Sequence, residues 1–376
     1  MNFDWQDYFN AGGEHSWMPK RTIFVTLHGS HAYGTNTPES DLDIRAITIA
    51  PKPYYTGILR GFEHEVLKNP DLVIFEIKKA MYLASECNPN TLEILFTNPE
   101  QHLFVSPIGQ TLLDHKMMFL SRRVRETFQG YAVEQMRRII RHRGWVLNPP
   151  THEPTREEFG LAPKPVHPAK NQIDAAMAMV NKRIDQWNWH KLEYLPPSMR
   201  QAIREEFYRR LVEVTSWSDL EVDDKVWRAA ANSLGLTTNF IQVLELEKKY
   251  ASKLSDWSKF QKWKRERNPE RAAMEAKSGY DLKHGMHLVR LSRSCRDTLV
   301  TGTLTVKRSD AAELLEIRNG SWKFEDLVEW FRIQNEELNL LEKISPLPPE
   351  PDIQAIDNLC QELVEQSWGS PSRLGD

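Results

Sequence analysis

The chain has 376 residues, 40% apolar and 27% charged, more than one domain of usual size and too apolar for wholesale disorder. Its formal charge of −3, from 49 Lys and Arg against 52 Asp and Glu, excludes a uniformly basic coat protein but leaves room for a local cationic face. The three cysteines (Cys87, Cys295, Cys360) are too few and too scattered for a disulfide framework, and no apolar run reaches the ~18 residues of a membrane span. The first residues lack a cationic segment followed by an apolar one, so a soluble, cytoplasmic chain with no membrane partner is expected.

In chain order, RTIFVTLH (21–28) reads as a β-strand that ends at Gly29. DLDIRAITIA (41–50) is a second strand, and DLVIF (71–75) a third that runs into a helix over 76–87. Another helix follows the Asn88-Pro89-Asn90 turn at 91–96. Beyond residue 100 the pattern is helical over 108–143, 169–191, 198–214, 220–253, 256–276, 279–300, 309–317 and 323–343. Residues 149–168 hold six of the 22 prolines and must form a loop or extended arm. SPLPPEPD (345–352) leads to a terminal amphipathic helix, 353–368. The expected division is therefore 1–115 as an α/β catalytic domain, 116–345 as a helical region capping its cleft, and 346–376 as linker and terminal helix.

Chemistry concentrates between residues 27 and 44. A strand ends at Gly29-Ser30, ten residues intervene, and the next strand opens with Asp41-Leu42-Asp43. Side chains alternate along a strand, so Asp41 and Asp43 project from one face. Adjacent carboxylates repel unless a cation lies between them, and Mg²⁺ suits carboxylate and phosphate oxygens. Gly29 allows close backbone approach, while Ser30 and the amides after it can receive phosphate oxygens. Phosphate beside a carboxylate-held metal is the arrangement that phosphoryl or nucleotidyl transfer requires.

This block resembles the signature of the polymerase-β-like nucleotidyltransferase superfamily and, more narrowly, its RNA-repair-pathway branch. The carriers are GSHAYGTNTPESDLDIRAI (29–47), DLVIFEIKKAM (71–81) and NPNTLEILF (88–96), with weaker likeness at 137–150, 154–161 and 279–291. His31 departs from the branch, where a basic or small residue is more familiar. The resemblance implies an α+β protein: a polymerase-β-like α/β domain followed by a large helical region. It also implies transfer of NMP from an NTP to an acceptor, with pyrophosphate released and Mg²⁺, or Mn²⁺ in its place, as cofactor. A third carboxylate is expected as base or metal ligand; Asp71, leading the third strand, is favoured over Glu76 at its end. Five residues apart, the two point to opposite faces of a regular strand.

Two further features bear on partners. Lys283, His287 and Arg290 fall at i, i+4 and i+7, one helical stripe suited to a nucleotide pocket. Residues 116–143 carry eight Lys/Arg against Glu126 and Glu134; Arg137, Arg138 and Arg141 share a face, with Met136, Ile139 and Ile140 opposite. Such a face can track a polynucleotide backbone, and together with the resemblance to the RNA-repair branch it makes RNA the favoured acceptor. The histidines form no His-x-x-x-His pair with an acid partner, and zinc is not expected. Rival readings are a protein-NMPylating or small-molecule-modifying transferase, and a non-catalytic nucleotide-binding regulator. Nothing in the sequence sets an oligomeric state.

Overall fold

β-Branched and aromatic residues dominate Thr22–His28 (β1), and in the computed structural model this strand lies inside a five-stranded mixed sheet, almost wholly buried. The structure describes residue 6 and residues 15–58, 61–68, 71–163, 167–186, 222–267 and 269–369. Before β1 stands a single helical turn, Met18–Arg21 (α1); after it come Gly29–Tyr33 (α2), Asp43–Thr48 (β2) and Pro53–Thr56 (α3). Next follow His64–Leu67 (β3), Asp71–Glu76 (β4), Ile77–Ser85 (α4), Pro89–Leu95 (α5), His102–Val105 (β5) and Pro107–Asp114 (α6). The sheet order is β3-β4-β2-β1-β5, with β2 and β4 parallel and every other pair antiparallel.

The remaining helices are Val124–Leu147 (α7), His167–Gln186 (α8), Val222–Ser233 (α9), Thr238–Glu266 (α10), Pro269–Ser278 (α11), Leu282–Thr301 (α12), Ala311–Arg318 (α13), Phe324–Ile344 (α14) and Ile353–Gly369 (α15). The molecule is α+β, an N-terminal α/β part with a helical remainder. One sheet face buries Val25, Ile44, Ala46, Leu72 and Ile74 against Met18. The other, through Phe24 and Ile47, joins a larger core that runs on into α4, α5, α7, α12 and α15.

That continuous core moves the division of the chain. Residues 1–148 and 268–376 make one compact unit and 149–267 the other, so the expected boundaries at 115 and 345 do not coincide with these units. Phe128, Met286 and Leu363 lie in the same core as Phe24, which a cut at 115 would split. The 149–267 unit has its own small core around Val180, Trp227, Ile241 and Leu244, and a bidentate Arg156–Glu247 pair.

Several helix limits also differ from the pattern. The stretch 108–143 is interrupted between Asp114 and Val124, where the Arg122 amide and guanidinium bond the carbonyls of Pro348, Leu347 and Ser345. Those bonds commit the chain to a bend that a local hydrophobic pattern does not encode. Thr237 caps α10 through its hydroxyl, and the helix continues across the expected break at 254–255. The expected helix at 198–214 lies outside the described residues.

Candidate active site

β1 hands the chain to the site at His28, where Gly29 turns it with φ +58°. A Cβ on Gly29 would lie 1.9 Å from Asp43 Oδ2, so only glycine lets the Asp43 carboxylate stand against this turn. α2 then runs one turn and ends at Gly34, also left-handed, whose amide bonds the Ser30 carbonyl. The return segment is closed by reciprocal bonds, Thr37 N–H to Ser40 Oγ at 2.8 Å and Ser40 N–H to Thr37 O at 3.0 Å. Asp41 follows at once, and Asp43 opens β2.

Register brings the third carboxylate in. Asp43 pairs with Asp71 in the parallel β2–β4 ladder and with His28 in the antiparallel β1–β2 ladder. Asp41, Asp43 and Asp71 thus gather at one end of the sheet beside Gly29-Ser30. Arg45, two residues beyond Asp43 on the same face, reaches Asp71 Oδ1 at 3.4 Å and Asp43 Oδ1 at 3.9 Å. Burial pushes the Asp43 carboxyl above its ordinary range, Arg45 opposes this, and Asp41 and Asp71 push it further. Among the described residues, three acids against one base leave the cluster short of positive charge. Oxygen donors of this kind suit a hard divalent cation, although Asp41, Asp43 and Asp71 do not bring three ligand atoms within 4.8 Å of one another.

Glu76 is placed elsewhere. It pairs with Thr48 at the far end of the ladder, five residues or about 16 Å along the strand from Asp71. Its side chain caps α4, accepting from the amides of Lys78 and Lys79 and from the Tyr55 hydroxyl. Burial raises its carboxyl, and these bonds offset part of the rise. The structure brings Asp71, not Glu76, to the Asp41–Asp43 pair.

The Lys283–His287–Arg290 stripe runs from solvent into the core instead of lining one surface. Lys283 is exposed and His287 partly buried, but Arg290 is buried, its Nη1 2.5 Å from Glu93 Oε1 and its guanidinium 3.7 Å above the Tyr33 ring. The Tyr33 hydroxyl donates to the other Glu93 oxygen at 2.7 Å. The expected phosphate ligand Arg290 is therefore turned onto an internal acid; through Tyr33 it props α2, the element that carries Ser30. His28, wholly buried nearby, has its pKa pushed down to about 3, by burial first and then by Arg45 and Arg290.

The basic stretch also divides. Arg122 and Arg143 bond backbone carbonyls, Arg123 pairs with Glu86, Arg125 bonds Asn339, and Lys116 lies over the Phe96 ring. Arg137, Arg138 and Arg141 are exposed on α7, with Arg137 beside Glu134. Met136 and Ile139 are buried behind them, whereas Ile140 is exposed. Sequence reading passed over Arg45 and Glu93. Arg45 carried a signal, its i+2 spacing from Asp43; Glu93 carried a weaker one, a lone acid inside the apolar run TLEILF.

A mixed sheet bearing paired carboxylates beside a Gly-Ser turn has the form of a polymerase-β-like domain. Residues 11–147 match the family described as the RNA repair pathway DNA polymerase beta family. The blocks at 154–161 and 279–291 lie outside that match. The chain is also similar to an uncharacterized 38.9 kDa protein of the nrdC-mobD intergenic region of Enterobacteria phage T4, 32% identical over 130 residues. That alignment covers 31% of this chain and 38% of the phage protein. No solved structure matches. None of the described helices is long and apolar enough to cross a membrane.

Proposed function

We propose that the protein transfers NMP from an NTP to an acceptor hydroxyl, releasing pyrophosphate, with RNA as the acceptor. The observation that carries this reading is the register of Asp43 with Asp71, with Asp41 two residues before it and Gly29 against its carboxylate. Asp41, Asp43 and Asp71 would hold Mg²⁺ or Mn²⁺. When bound, the ion supplies acidity to the acceptor hydroxyl and neutralises charge on the triphosphate. The chain's own contribution is placement. Gly29 keeps the approach to Asp43 open, and Ser30 with the amides of α2 receives β- and γ-phosphate oxygens. Asp71, the more exposed of the strand-end pair, stands where it can take the proton of an incoming hydroxyl, and Arg45 holds it beside Asp43. Lys283 keeps an exposed ammonium and is the member of its stripe that can still meet a phosphate.

RNA is favoured by the family match and by Arg137, Arg138 and Arg141 exposed together on α7. Incubation with each of four α-labelled NTPs, Mg²⁺ and total RNA tests the reading directly. Label on RNA with stoichiometric pyrophosphate supports it. Label on protein instead would shift the acceptor class, and nucleotide binding without pyrophosphate release from any acceptor would overturn the enzymatic reading.

A further inference from the structure

Among the described residues, one group of three metal-ligating side chains brings its ligand atoms together: His142 near the end of α7, Asp281 capping α12, and His284 in its first turn. We propose that these three residues bind a divalent transition ion of the Zn²⁺ kind, at a site separate from the one that serves transfer.

The distances carry the first part. His142 Nδ1 lies 3.3 Å and His284 Nε2 3.4 Å from the same oxygen, Asp281 Oδ2, and all three donor atoms lie within 4.8 Å of one another. An ion bonded at about 2.0–2.1 Å in a tetrahedron sets its donors about 3.3–3.4 Å apart. Two of the three edges already have that length.

A supporting side chain carries the second part. His284 Nδ1 donates to the Gln135 side-chain oxygen at 2.7 Å, which leaves Nε2 as the ring atom directed at Asp281 Oδ2. A hydrogen-bonded outer partner that fixes the tautomer is the usual support of a metal-bound imidazole. The other Asp281 oxygen accepts the His284 amide at 3.1 Å, which fixes the carboxylate with Oδ2 toward both rings. Asp281 is 2% exposed and the imidazoles 16% and 18%, so the group is anchored inside and reachable from one side.

Donor chemistry separates the two sites. Two imidazoles and one carboxylate suit Zn²⁺, whereas three carboxylates suit Mg²⁺. The ion would tie α7 to α12 at the point where the chain leaves for, and returns from, the 149–267 unit.

The test uses the full chain, stripped with chelator and titrated with Zn²⁺ by calorimetry in excess Mg²⁺. The expected result is one Zn²⁺ per chain, a raised melting temperature and, with Co²⁺ instead, visible d–d absorption. Asp281→Asn keeps an oxygen to cap α12 and should lose the stoichiometric site, as should His142→Gln. Gln135→Leu should weaken binding about 10–100-fold. Asp43→Asn should leave Zn²⁺ binding unchanged, which separates this site from the transfer reaction. Absence of Zn²⁺ binding by the stripped wild type, or undiminished binding by folded Asp281→Asn and His142→Gln, would overturn the proposal.

Discussion

Two ionic centres adjoin α2, and they are built on opposite principles. Arg290, Glu93 and Tyr33 form a charge-balanced set: one cation, one anion and one hydroxyl, all buried, with Glu93 accepting from both of the others. Asp41, Asp43 and Asp71 form an open set, with Arg45 the one cation paired to it among the described residues. Balanced charge in a core costs little once paired, but unbalanced charge persists only where something else requires it. The difference separates a prop from a reactive site without reference to motif.

The sharpest way to break that contrast is to exchange the expected losses. Asp41→Asn and Asp43→Asn should abolish transfer and leave the fold intact; wild-type turnover in either would remove the metal assignment. Arg290→Met should do the reverse, destabilising by about 3–5 kcal/mol because Glu93 is left buried and unpaired. Adding Glu93→Leu should restore part of that loss in urea titrations. A single Arg290→Met variant with unchanged stability and weakened NTP binding would return Arg290 to the substrate.

The two ends of β4 sharpen the comparison. Asp71→Asn should lower turnover at least ~10²-fold, the order of a lost general base, with little change in melting. Glu76→Gln should lower melting and keep turnover within a few fold. Equal mild effects would place the third carboxylate elsewhere.

The exposed cations should give a smaller effect. Replacing Arg137, Arg138 and Arg141 together should flatten the log–log salt dependence of RNA binding by about 2 units, at about 0.7 per phosphate contact. The NTP KM should hardly move. A salt-independent acceptor affinity would point to a protein or small-molecule acceptor.

At neutral pH His28 has no pH dependence to read, and its effect emerges only in acid. The unfolded chain takes up its proton near 6.5, whereas the folded pKa lies at about 3. Its contribution is therefore complete above 6.5 and is lost as pH falls from 6.5 toward 3, at up to ~1.4 kcal/mol per pH unit. In chelator, urea midpoints of His28→Gln should fall less steeply with acid than those of wild type. Parallel curves would mean that the ring is protonated in the folded state.

What could be read from sequence follows the range of the interactions. β1, β2 and β4 were legible because each is a run of six or seven residues with apolar phase, and Gly29-Ser30 with Asp41-Leu42-Asp43 because all lie within fifteen positions. β3 and β5 are four-residue strands at the sheet edges, too short to show a period. Arg290 was placed on a plausible stripe, but its partner Glu93 is 197 residues away, and periodicity names a face without naming what covers it. His142 and Asp281, 139 residues apart, were hidden for the same reason.

That last separation has a practical side. Arg143 bonds the Gly279 carbonyl at 2.8 Å, so a position six residues before the 149–267 unit and one twelve residues after it are spatial neighbours. The segment between them is an insert in a unit that is continuous in space but not in sequence, and the core that spans Phe24 to Leu363 includes none of the described inserted residues. The remaining chain, residues 1–148 joined to 268–376, would keep the sheet, the carboxylates and the α7–α12 seam together. The protein is in that sense a host with a guest, and the guest can be swapped, trimmed or labelled while the host's sheet and helices are left alone.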